Sequence, residues 1–215
     1  MKLLLLHALP LDERMWEPQR DALREHEVTA PLLYGRGRTM NEWAASIAGE
    51  VDGEVAVVGA SMGGYCALAL AKLVPERVRG LLLVGSRPDP DSPERRAGRA
   101  DTIELIRREG ADGLWRFMLP KLFADPANAD PSLLYRDPDG LIGALEAIRD
   151  REDSTDFVRD FERPVEFVVG EHEQFVTAGE LFEFDVREVP EAGHLVNIER
   201  PDDFNDIMRE FLARV

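Results

Sequence analysis

The chain has a single cysteine, Cys66, so no disulfide can form within it and a cysteine-rich metal site is excluded. Lysine is nearly as scarce, at three positions (Lys2, Lys72 and Lys121), and arginine carries most of the positive charge. Positive charge as a whole is in deficit: 26 Lys and Arg against 42 Asp and Glu leave a formal net charge of −16. Such a surface repels phosphate backbones and anionic headgroups, so neither nucleic acid nor a membrane is an expected partner. Long apolar runs are missing too. The opening Lys2-Leu3-Leu4-Leu5-Leu6 is far shorter than the roughly 7–15 apolar residues of an export signal. No stretch approaches the roughly 20 apolar residues of a membrane span, and a cytoplasmic protein is expected. There is no phosphate loop, dinucleotide fingerprint or metal constellation, so no cofactor and no metal are expected.

What is present is a strand–helix alternation within 215 residues that contain no linker, repeat or low-complexity tract. Residues 2–7 read as a buried strand, 16–25 as a helix with Pro18 in its first turn, and 28–33 as a second strand. A loop through Gly35-Arg36-Gly37-Arg38 leads to a helix over 40–50, a strand over 54–59, an Ala/Leu-rich helix over 63–73 and a strand over 81–84. Apolar strands alternating with helices indicate a parallel sheet wrapped on both faces. The alternation then stops. From Pro88 to about Phe161 only helical stretches occur, over 93–108, 111–123 and 141–151. It resumes with strands over 165–169 and 185–189 and a closing helix over 202–212. The expected organisation is one α/β core, 1–87 and 152–215, carrying a helical lid, 88–151, over the carboxyl ends of the strands.

Gly59-Ala60-Ser61-Met62-Gly63 matches G-x-S-x-G at a strand-to-helix junction. A strand that turns straight into a helix strains the residue between them. Small neighbours relieve the crowding, and the serine oxygen projects above the sheet edge, at the helix N-terminus. With 17 Gly in the chain, roughly 0.04 chance matches are expected before that context is required. A serine nucleophile needs a base, and four histidines are available. His26 lies in a charged helix end, His7 closes the first strand and His172 sits in a loop beside carboxylates. His194, in Ala192-Gly193-His194, follows the last strand, and the chain order Ser…acid…His favours it. Gly170-Glu171-His172-Glu173 offers two carboxylates for the acid that would hold the imidazole.

These segments together resemble the α/β-hydrolase fold family, closest to its small serine esterases and 3-oxoadipate enol-lactone hydrolases. His7-Ala8-Leu9-Pro10 looks like the His-Gly-x-Pro oxyanion segment, and Gly59 to Gly64 like the nucleophile elbow. Gly170 to Glu173 looks like the Gly-x-x-Asp turn, and Gly193-His194 followed by Asn197-Ile198-Glu199-Arg200-Pro201 like the C-terminal histidine motif. The resemblance implies an α/β-hydrolase fold with Ser61 as nucleophile, His194 as base and Glu173 as acid. It also implies an oxyanion hole from the N–H groups of Leu9 and Met62, and a structural His7. The departures are Ala8 for glycine, Glu173 for aspartate, a short helix near 177–182 and no counterpart of the family's two leading strands. Glu171 and Asp89 are the reserve acids.

In the insertion, Leu114-Trp115-Arg116-Phe117-Met118-Leu119-Pro120-Lys121-Leu122-Phe123 carries more apolar residues than one buried helix stripe requires. Trp115, Phe117, Met118 and Phe123, with Leu195, are the expected substrate pocket, and a purely structural core is the alternative. Arg116 and Lys121 are expected to be solvated rather than to read a substrate carboxylate. The expected activity is hydrolysis of a small ester or lactone through an acyl-enzyme. The alternatives are carbon–carbon hydrolysis, perhydrolysis or a lyase step on the same residues, or a ligand-binding chain without catalysis.

Overall fold

The computed structural model describes residues 1–215. β1 (Lys2–Leu6) leads through a 3₁₀ turn at Glu13–Trp16 into α1 (Glu17–Ala22), followed by β2 (Glu27–Thr29) and α2 (Met40–Glu50). β3 (Val55–Ala60), α3 (Met62–Leu73) and β4 (Val78–Val84) complete the first half. Between β4 and β5 come α4 (Pro93–Leu122), α5 (Pro138–Arg149) and, beyond the expected lid boundary at 151, α6 (Thr155–Asp160). β5 (Val165–Gly170), β6 (Val186–Val189), α7 (Val196–Glu199) and α8 (Pro201–Leu212) follow. The strands form one sheet in the order β2-β1-β3-β4-β5-β6, every pairing parallel. This is an α/β-hydrolase sheet flanked by helices.

Local chemistry explains most boundaries. Thr39 and Glu42 form a reciprocal capping box at the start of α2. All six residues of β3 are buried, as a central parallel strand requires. The expected strand over 28–33 shrinks to Glu27–Thr29 because β2 is an edge strand that pairs with β1 only from Lys2↔Glu27 to Leu4↔Thr29. Beyond it the backbone turns inward, and the Leu33 N–H donates to His7 Nε2 (2.9 Å) instead of to a strand. The expected helix over 16–25 ends at Ala22, and the Leu23 and His26 N–H groups close tight turns. The two helices expected over 93–108 and 111–123 are one run broken at Gly110 (φ 66°, ψ −163°). α5 begins at Pro138, earlier than expected, because Asp137 caps the N–H groups of Asp139 and Gly140. α6 was not foreseen.

The 64 buried apolar residues form one continuous cluster that includes Ile103, Ile106, Leu114, Leu141 and Leu145 of the insert. Sheet and insert therefore share a core. No helix is long and apolar enough to cross a membrane.

Candidate active site

Ser61 joins β3 directly to α3 and holds φ 49°, ψ −111°, a region that L-residues rarely adopt. The turn closes because its flanks are glycines: a side chain at Gly63 would collide with the Leu6 carbonyl, and one at Gly59 with Gly63. The Ser61 N–H donates to the Val84 carbonyl (2.7 Å), and the Ser86 hydroxyl lies within hydrogen-bond distance of the Ser61 carbonyl (3.2 Å). The turn is thus fastened to the end of β4.

The residue just past β4 meets the other half of the site. Gly85 (φ 54°) has no side chain where the ring of His194 lies; a Cβ there would be 2.7 Å from both Cε1 and Nδ1. His194 is buried and its Nδ1 is 2.6 Å from Glu173 Oε2. Glu173 Oε1 accepts the Gln174 and Phe175 N–H groups, each at 2.7 Å. Burial alone would raise the Glu173 carboxyl. The charge and hydrogen bond of His194, with the two backbone donors, outweigh it and hold the group below its ordinary value. An ionised acceptor at Nδ1 assigns the ring proton to that nitrogen and leaves Nε2 as the free base. The Phe175 ring packs against the imidazole, centroids 4.6 Å apart.

Across the turn, Met62 opens α3, so its N–H has no intrahelical acceptor. Leu9 lies in the loop after β1, and its N–H bonds no protein group. That loop is strapped to the insert: Asp12 N–H donates to the Leu133 carbonyl (3.0 Å) and Tyr135 N–H to the Pro10 carbonyl (3.0 Å). His7 braces it from below. Fully buried, it accepts from Leu33 and donates through Nδ1 to the Ala8 carbonyl (3.3 Å), and burial pushes its pKa down to about 4.

Of the acid candidates, Glu173 alone reaches His194. Asp89 pairs with Arg87 (2.5 Å) and Arg95 (2.7 Å), and Glu171 accepts the Glu191 N–H (3.0 Å). His172 is exposed, and His26 lies beside Glu25 (3.7 Å). Among the apolar residues of the insert, Trp115 and Phe123 meet edge to face (6.3 Å), and Leu195 N–H donates to the Leu122 carbonyl (3.2 Å), beside the His194 loop. Met118 and Phe123 are buried in the core, whereas Phe117 is 45% exposed, with Lys121 Nζ 3.9 Å from its ring centroid. Arg116 pairs with Glu109 on the surface.

Two residues of the site had no role in the sequence reading. Gly85 follows a predicted strand but belongs to no motif. Glu199 is the keystone of the histidine loop: its carboxylate accepts from Gly193 N–H (2.7 Å), Ala124 N–H (3.2 Å) and Asp125 N–H (3.0 Å), tying His194 to the chain after α4. Its place in the Gly-His…Glu-x-Pro segment was the available signal.

A model of the alpha/beta hydrolase family matches residues 3–207. A thermophilic esterase from Thermogutta terrifontis is similar in structure, with TM-score 0.90 and 31% identity over 99% of this chain and 89% of that one. The enol-lactonase from Burkholderia xenovorans LB400 gives TM-score 0.84 and 25% identity over 99% and 91%. A pimeloyl-acyl-carrier-protein methyl ester esterase of Aromatoleum aromaticum is 33% identical over 93 residues, 40% of this chain and 37% of that relative. This chain therefore covers little more than a third of that relative's length. With a match over most of its residues, the chain belongs to the alpha/beta hydrolase family, where the proteins it resembles include esterases and an enol-lactonase.

Proposed function

We propose that this chain hydrolyses a small carboxylic ester or lactone through an acyl-enzyme on Ser61. The observation that carries the reading is the continuity through Val84 and Gly85: one accepts the Ser61 N–H, and the other abuts a buried His194 whose Nδ1 is fixed by Glu173. The Ser61 Oγ attacks the carbonyl carbon while its proton passes to His194 Nε2, and Glu173 stabilises the imidazolium without taking the proton. The Leu9 and Met62 N–H groups receive the developing oxyanion. Collapse expels the alkoxide with the proton from Nε2, and water then attacks the acyl-enzyme with His194 again as base. Ser61 Oγ and His194 Nε2 are not hydrogen-bonded to each other here, and such contacts often tighten only with substrate in place. Residues 88–151 roof the site as a lid, with Trp115, Phe123 and Leu195 on its apolar side.

A fluorophosphonate probe is expected to label Ser61 rapidly, and Ser61→Ala to lower turnover of an activated ester by ~10³-fold or more while the protein stays folded. Near-normal turnover by the folded Ser61→Ala protein would refute the mechanism. A ligand-binding chain without catalysis predicts neither labelling nor turnover.

A further inference from the structure

Under the proposed mechanism one oxyanion donor, the Leu9 N–H, sits in the middle of a loop with no hydrogen bond of its own to fix it. Its position therefore depends on the residues to either side. Upstream, the loop is held at the end of β1: His7 accepts from Leu33, and the Ala8 N–H donates to Met15 Sδ (3.2 Å). Downstream, the partners come from residues 132–135, between α4 and α5. The Tyr135 N–H on the Pro10 carbonyl and the Asp12 N–H on the Leu133 carbonyl bracket an antiparallel bridge between Leu11 and Leu134. Arg14, which also grips Asp12 (2.6 Å), donates to the Ser132 carbonyl.

Two tyrosines lock this bridge. The buried Tyr34 hydroxyl donates to the Leu11 carbonyl (2.9 Å), at the centre of the bridge. Its ring stacks on Tyr135, with centroids 4.0 Å apart and planes 12° from parallel, and on its other side lies the His7 ring at 5.0 Å. Tyr34 thus meets the upstream brace, the downstream carbonyl and the segment between α4 and α5 at once. Burial pushes its phenol well above the ordinary pKa, so the hydroxyl remains a donor. The stack has little slack: a Cβ at Gly140, on α5, would lie 2.7 Å from Tyr135 Cε1 and 3.2 Å from Tyr34 Cβ.

We infer that Tyr34 and Tyr135 are positioning residues for the oxyanion hole, setting the Leu9 N–H through the Leu11–Leu134 bridge. The inference rests on the Ser61 reading. A donor lost outright from such a hole costs about 10²–10³ in rate, so one displaced by a fraction of an ångström should cost about tenfold. Tyr34→Phe, which deletes only the bridging hydroxyl, is expected to lower kcat on p-nitrophenyl acetate about tenfold, with KM within about twofold. Tyr135→Ala should do the same, and Tyr135→Phe, which keeps the stack, should restore the rate. That pair keeps the test open if Tyr34→Phe misfolds. A purely structural role would leave one further readout unmoved: the Ki of an alkyl trifluoromethyl ketone, whose hemiketal oxyanion on Ser61 occupies the hole. Measured well below each Tm, Ki should rise by the factor that kcat/KM falls, while the apparent pKa of the rate, set by His194, stays at the parent's value. Folded Tyr34→Phe and Tyr135→Ala proteins with parental kcat and Ki overturn the inference, as does a rise in KM at constant kcat. A parent chain that turns over esters but is neither inhibited by the ketone nor labelled by a fluorophosphonate overturns the Ser61 reading, and this inference with it.

Discussion

The turn around Ser61 and the segment between β4 and β5 are built in opposite ways. In the first, backbone sits against backbone: the Ser61 turn is bonded to Val84, Gly85 abuts the imidazole, and Glu173 is held by two main-chain N–H groups as well as by His194. The insert buries its apolar faces in the common core but presents long charged side chains outward, such as the Arg116–Glu109 and Arg136–Asp112 pairs. The first construction tolerates no added atom; the second leaves exposed ion pairs, which contribute about 0–1 kcal/mol each. The difference bears on where, under the proposed function, chemistry and selectivity would sit. A floor fixed by main chain can keep reacting atoms in register, and a wall of side chains can change what it admits without moving them.

Charge removal on the floor should have the largest effect. Glu173→Gln keeps the shape but loses the anion that holds the imidazole, and turnover is expected to drop about 10²–10⁴-fold. Glu171→Gln and Asp89→Asn should stay within a few-fold. A large loss in Asp89→Asn, with Glu173→Gln silent, would move the acid to the end of β4. Because Glu173 is held below its ordinary pKa, its carboxylate should persist on the acid side down to pH values below the usual range, and only then fail.

Next in size is a single methyl group. Gly85→Ala places a Cβ 2.7 Å from the imidazole at a positive φ, so ring or strand end must shift, and a loss of about 10²-fold in kcat is expected. Arg116→Ala in the insert, which loses only an exposed pair, should leave kcat within twofold. If the two substitutions cost alike, the contrast between floor and insert is false.

The smallest effect is on stability. His7 is buried neutral with a pKa lowered from 6.5 to about 4, so below pH 6.5 the unfolded chain binds a proton that the folded chain refuses. Its contribution is complete above pH 6.5 and is lost as pH falls towards about 4, to a total of about 3 kcal/mol. His7→Gln should be less stable than the parent at pH 7, and urea midpoints should converge as pH falls to 4.5. A gap independent of pH would mean that His7 titrates normally.

What the sequence determined by itself is what local rules govern. The strand–turn–helix around Ser61 was legible because its strain and its glycines are sequence neighbours, and the helix over Met40–Glu50 because Thr39 and Glu42 cap it locally. Six strands and the break after β4 followed from apolar periodicity. Chain order favours His194, and the family resemblance implies Glu173, 21 residues before it, where composition and spacing leave Glu171 equally open. Only the tertiary structure decided how far β2 extends, since an edge strand ends where its one partner stops pairing. It alone revealed Gly85, Glu199 and the arginines gathered on Asp91. None of these has a periodicity: Gly85 matters because a ring from more than a hundred residues away occupies its side-chain space. Arg95, Arg99 and Arg151 look like ordinary surface charges in the sequence until folding gathers all three around the buried Asp91 carboxylate.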